Sequence, residues 1–117
     1  MARVVAFVPD LLFGSNVVGA LQAAGHDPVL VGDGDSLRRE LPGAHVVVVD
    51  LTADAAERIE EVWPMLTPDV RTLAFYSHVE ADVRARAERA GFDLVVPRSR
   101  MAREGAALVE RLSVAAG

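Results

Sequence analysis

The chain has 117 residues, 51% of them hydrophobic and 25% charged, which excludes a disordered chain and fits one domain over residues 1–117. It holds no cysteine, which excludes disulfides, thiol catalysis and cysteine-ligated zinc or iron–sulfur centres. Seventeen acidic against twelve basic residues, a formal charge of -5, argue against a general nucleic-acid binder, and no run approaches the roughly eighteen apolar residues of a membrane span.

Arg3 to Val8 is a short valine-rich run and predicts a buried strand. Its immediate appearance, without a leader-length apolar stretch, sets a cytoplasmic location as the expectation. Ser15 to Ala24 predicts a helix with Val17, Val18 and Leu21 on its inner face, closed by Gly25. Pro28 to Val31 is a second strand, and Asp35 to Leu41 a short helix stopped by Pro42-Gly43. The run Ala44 to Asp50, with four consecutive valines, reads as a central strand covered on both faces.

Asp54 and Glu57 stand in capping-box spacing before a helix carrying Ile59, Val62, Trp63 and Leu66, with Pro64 and Pro68 at its exit. Arg71 to Tyr76 is a fourth strand. Ser77 and Glu80 repeat the capping-box spacing before a helix ending near Gly91. Asp93 to Val96 is a fifth strand, and Ser99 to Val114 a last helix with Leu108 and Leu112 facing in. Five β–α pairs with right-handed crossovers predict a three-layer α/β sandwich around a parallel sheet. In such sheets the functional site lies at the carboxyl ends of the strands.

Those ends carry Pro9-Asp10, Asp50, Ser77-His78, and Pro97-Arg98 with Arg100. If the first and third strands are neighbours, Asp10 and Asp50 stand close, and a cation such as Mg2+ relieves their repulsion. A phosphoryl group on Asp50 would call for a hydroxyl donor and a cation, roles open to Ser77 and Arg98. Each residue also has an ordinary structural role: Asp50 in a turn, Asp10 before a helix, Ser77 as an N-cap, Arg98 in an ion pair.

The whole chain resembles the receiver domain of two-component response regulators, most closely in FVPD at Phe7–Asp10, VVVVDL at Val46–Leu51, FYSH at Phe75–His78 and AERAGFDLVVPR at Ala87–Arg98. The resemblance implies a CheY-like, flavodoxin-like (βα)5 fold with strand order 2-1-3-4-5. It places Asp50 at the phospho-acceptor position and Asp10 at the second acidic metal position, with Tyr76 or Ser77 at the switch hydroxyl. It implies a histidine kinase, phosphotransfer protein or other signalling protein as partner. Three features depart from the pattern: Pro9 replaces the first acid, Pro97-Arg98 replaces lysine-proline, and the proline loop after Asp50 is missing. Arginine is a rigid fork and lysine a compact charge, so the second change is not neutral.

Two readings within the family follow. In the favoured one, the domain is an atypical, stand-alone receiver that signals by protein contact without conventional phosphorylation, with Arg98 paired to Asp50 and Mg2+ weak or absent. In the other, Asp50 accepts a phosphoryl group with Mg2+ held by Asp10 and Asp50, the extent of any enzymatic activity. A third reading, a small Rossmann-like nucleotide-binding protein, draws on Phe13 to Val31. It lacks the glycine-rich turn after the first strand, and VPDLLFG at Val8–Gly14 is not the hydroxyl-rich loop of a flavin phosphate, so neither nucleotide nor flavin is expected.

His26, His45 and His78 show no metal-ligand spacing. His26 reads as a surface turn residue and His45 as part-buried at the head of the central strand. His78 beside Ser77 lacks the orienting acid of a hydrolase. Trp63 reads as core or flank. The third helix is acidic through Glu57, Glu60 and Glu61, whereas Arg84, Arg86, Arg89, Arg98, Arg100 and Arg103 make the far edge basic. That edge predicts solvated helix faces or a homodimer surface through residues 79–114. It lacks a nucleic-acid reading motif.

Overall fold

The computed structural model describes residues 2–77 and 80–116. Five strands, β1 (Arg3–Phe7), β2 (Asp27–Val31), β3 (Val46–Asp50), β4 (Arg71–Tyr76) and β5 (Leu94–Pro97), alternate with five helices, α1 (Leu11–Ala23), α2 (Gly34–Glu40), α3 (Ala55–Val62), α4 (Ala81–Ala90) and α5 (Arg98–Ala116). One turn of 3-10 helix, Trp63–Met65, follows α3, where Pro64 removes a backbone donor. The strands form one parallel sheet in the order β2-β1-β3-β4-β5.

Alternation along the strands divides the core into two layers. Val4, Ala6, Val46, Val48, Leu73, Phe75 and Val96 face α1 and α5, where they meet Val17, Leu21, Met101, Leu108, Val109 and Leu112. Val5, Phe7, Val47, Val49, Ala74 and Tyr76 face the other way, onto Leu37 of α2, Ile59 and Val62 of α3, and Val83 and Ala87 of α4. All five residues of β3 are buried, as the unbroken valine run requires of a strand covered on both sides.

The helix ends show where local chemistry differed from the predicted boundaries. Helix α1 begins at Leu11 rather than Ser15 because the Asp10 side chain accepts hydrogen bonds from the N–H groups of Leu12 and Phe13. Neither predicted capping box forms. Asp54 precedes α3 in the left-handed region, at φ 52°, and offers its backbone carbonyl to Arg58 N rather than a side-chain cap. Helix α4 is preceded by Glu80, which makes no side-chain cap; the Ser77 carbonyl accepts from Glu80 N at 2.9 Å. Gly91, at φ 111°, ends α4 as predicted.

Candidate functional site

The sheet brings the predicted site residues to one end of the molecule. Strands β1 and β3 are parallel neighbours with Phe7 level with Val49, so Asp50 is one residue and Asp10 three residues beyond the same register line. Ser77 leaves β4 next to them, and Arg98 opens α5 directly after Pro97. His78 lies outside the described residues.

Asp50 is 5% exposed, and its carboxylate is held by its own loop. Its Oδ1 accepts from Thr52 N at 2.8 Å and from Thr52 Oγ1 at 2.5 Å, closing a tight local turn. The Asp50 carbonyl accepts from Arg58 Nη1 at 2.9 Å, and the Arg58 guanidinium sits 4.9 Å from the centre of the Phe7 ring. Thr52 and Arg58 were not among the sequence candidates. A hydroxyl two residues after an aspartate was the available signal for Thr52, whereas Arg58 arrives only through the fold of α3.

Arg98 does not pair with Asp50 as expected; it pairs with Asp10. Its Nη2 lies 3.4 Å from Asp10 Oδ2, and its guanidinium stacks 4.2 Å from the centre of the Phe13 ring. Phe13 in turn packs on Phe75, ring centres 5.1 Å apart, and Phe75 is level with Asp50 across β3 and β4. The aromatic pair and the helix cap therefore draw Arg98 towards β1. Tyr76 is level with Pro97 but lies in the layer facing α4, opposite to Phe75; Ser77, half-buried, follows at the strand exit.

Leu11 and Leu12 are 73% and 76% exposed beside this mouth. The connection from β1 to α1 is Val8-Pro9-Asp10, without glycine. Gly14 serves close packing instead: a Cβ there would stand 2.8 Å from Leu30 Cδ1. Among the described residues no three His, Asp or Glu side chains gather as metal ligands do. No described helix is long and apolar enough to cross a membrane.

A cavity of about 970 Å³ lies away from Asp50, between α2 and the segment from α3 to β4. Leu41, Pro64, Met65 and Val70 form apolar walls, with Arg38, His45, Glu61 and Asp69 at its edges. The other histidines also differ from expectation. His26 is buried, because its ring fills the space between the first residue of the described chain and α5. His45 is exposed, because it precedes β3 at the open side of that cavity. Trp63 is a flank residue, packed on Phe92 with ring centres 5.1 Å apart.

No family model matches the chain, and no curated protein matches it. Solved structures do. A response regulator receiver domain protein from Clostridium thermocellum superposes with a TM-score of 0.79 at 12% identity, covering 97% of this chain and 94% of that one. A response regulator from Thermotoga maritima gives 0.82 at 14% identity, covering 97% and 98%. The receiver domain of Francisella response regulator 1452 gives 0.84 at 12% identity, with each chain covered in full at 100%. The element order, the 2-1-3-4-5 sheet and these superpositions together establish that this chain has the CheY-like, flavodoxin-like fold of response regulator receiver domains.

Proposed function

We propose that this chain is a signalling module of the receiver type that acts by contact with other proteins and does not use conventional, metal-dependent phosphorylation of Asp50. The observation that carries this reading is how the polar groups at the mouth are already engaged. Thr52 occupies Oδ1 of Asp50 through both its N–H and its hydroxyl. Asp10 spends Oδ1 on two amides of α1 and Oδ2 on Arg98. Pro9 brings no side-chain oxygen.

Magnesium demands near-octahedral oxygen coordination and one or two available carboxylates. The donor set around Asp50 does not fit a resident Mg2+, and the nearby guanidinium groups are engaged elsewhere, that of Arg98 by Asp10 and that of Arg58 by the Asp50 backbone carbonyl. Both features act against accumulating and then neutralising charge on a transferred phosphoryl group.

Asp50 nonetheless stands at the carboxyl end of the central strand, which supports the second reading, phosphoryl acceptance from a histidine kinase or phosphotransfer donor. Incubation with a small acyl phosphate and Mg2+, followed by intact mass, separates the two. The expected result is no gain. A base-labile gain of one phosphoryl group, lost in Asp50→Ala, would establish the second reading and remove the first.

Contact with a partner or a second copy is assigned to the face of α4, β5 and α5. Strand β5 is a four-residue edge ending in Pro97, and α4 presents Arg86 and Arg89 to solvent. Part of the basic charge is already balanced, Arg84 by Glu88 at 3.5 Å and Arg100 by Glu104 at 3.4 Å. Sedimentation equilibrium of the chain and of Arg86→Glu/Arg89→Glu tests self-association there.

A further inference from the structure

The first two described backbone amides are both bound by imidazoles. Ala2 N donates to His26 Nδ1 at 3.2 Å, and Arg3 N donates to His45 Nδ1 at 2.9 Å. The carbonyls of the same residues are taken by Asp27 N and His45 N, each at 2.9 Å. The amino end of β1 is thus tied to the segments on both sides of it through two histidine rings.

We propose that His26 and His45 form an acid-sensitive clasp on the amino end of β1. A backbone N–H can donate to Nδ1 only while that nitrogen keeps its lone pair, so both rings must be neutral with the proton on Nε2. When either ring is protonated, Nδ1 becomes a donor facing a donor, and the bond is lost. Imidazoles change charge between about pH 5 and 8. The clasp is therefore closed while both rings are neutral and opens when either takes up a proton in acid.

The charged surroundings differ for the two rings. His26, whose side chain is 2% exposed, has its Nε2 3.2 Å from Glu110 Oε2 of α5, out of line for a hydrogen bond. Helix α1, which packs beside it, carries no charged residue. Asp27, next in sequence, is engaged by Arg3 at 3.2 Å. His45 meets Arg3, whose guanidinium is also bound to Glu40 of α2 at 2.8 Å, and its carbonyl accepts from Arg71 N of β4. It shares its cavity edge with Asp35 and Arg38 of α2, Glu61 of α3 and Asp69. The clasp lies at the end of the sheet opposite Asp50, so it stands independently of the reading of that site.

Two measurements on the intact chain test it. Long-range nitrogen–proton spectra at about pH 7.5 should show both rings as the Nε2–H tautomer. Amide protection factors of Ala2 and Arg3 should fall about tenfold between roughly pH 7.5 and pH 5, the equivalent of one lost hydrogen bond, while those of Val47 and Val48 hold. In the His26→Asn/His45→Asn variant the amide oxygens replace Nδ1 as acceptors that do not titrate, and protection should no longer depend on pH. An Nδ1–H tautomer in either ring, or protection at Ala2 and Arg3 unchanged on acidification, would overturn the clasp. If the double variant does not fold, the wild-type tautomers and protection factors decide the matter.

Discussion

Asp10 and Arg98, separated by 88 positions in the chain, meet at 3.4 Å between Oδ2 and Nη2 and join the start of α1 to the start of α5. The same Asp10 caps α1 through its other oxygen, so one side chain serves a helix and a long-range ion pair. These two contributions can be separated. Asn caps a helix as well as Asp does, whereas Ala does not.

Asp10→Ala should therefore cost about 1–2 kcal/mol, mostly from the cap. Asp10→Asn should cost less than about 1 kcal/mol, because the pair is half exposed and screened by water. Urea unfolding midpoints of both variants check this. Equal losses would assign the energy to the ion pair rather than to the cap.

Thr52 is the second lever at the mouth. Its hydroxyl and N–H both serve Asp50 Oδ1, and Thr52→Val keeps shape and removes only the hydroxyl. A hydrogen bond to a charged group contributes roughly 1.5–3 kcal/mol, so Thr52→Val should lower stability by up to that amount. The loss should shrink when Asp50→Asn is already present, since the neutral amide forms a weaker bond. A double-mutant cycle in urea measures the coupling.

Gly91 combines a left-handed backbone with a tight neighbour. Its φ is 111°, and a Cβ there would approach the Trp63 ring to 3.0 Å. Gly91→Ala should cost roughly 1–3 kcal/mol through backbone strain. It should also change the fluorescence of Trp63, the only tryptophan in the chain. A stable variant with an unaltered emission spectrum would contradict the packing of Gly91 against Trp63.

Asp33 caps α2, accepting from Ser36 N at 2.7 Å. That backbone hydrogen bond, aided by the Ser36 side chain and by Arg39, holds the carboxyl below its usual value. A lowered folded value means the contribution is present above the ordinary carboxylate range and is lost as pH falls through the folded value. Amide protection across α2 should hold at neutral pH and decline in acid below about pH 4, earlier than in β3, with Asp33→Ala showing the weak protection at every pH.

The fold was legible because its signals are local and repeat. Apolar runs such as VVVVD at Val46–Asp50, separated by helical spacings, demanded strands covered on both faces. The mouth was legible only as a set of residues. The sequence placed Asp10, Asp50, Ser77 and Arg98 at strand ends, but whether a cation faces one acid or the other depends on angles no spacing encodes.

Chain order and hydrophobic period by themselves determined five β–α units and the end of the sheet where the polar residues gather. Only the tertiary structure decided the partners. Arg98 went to Asp10 because the Phe13 ring offers its guanidinium a face beside the α1 cap. His26, read as a surface residue, became buried because its ring fills the space between β1 and α5. Periodicity reports which face of an element is covered, whereas a side chain's partner is selected by distances of a few ångströms between elements far apart in sequence.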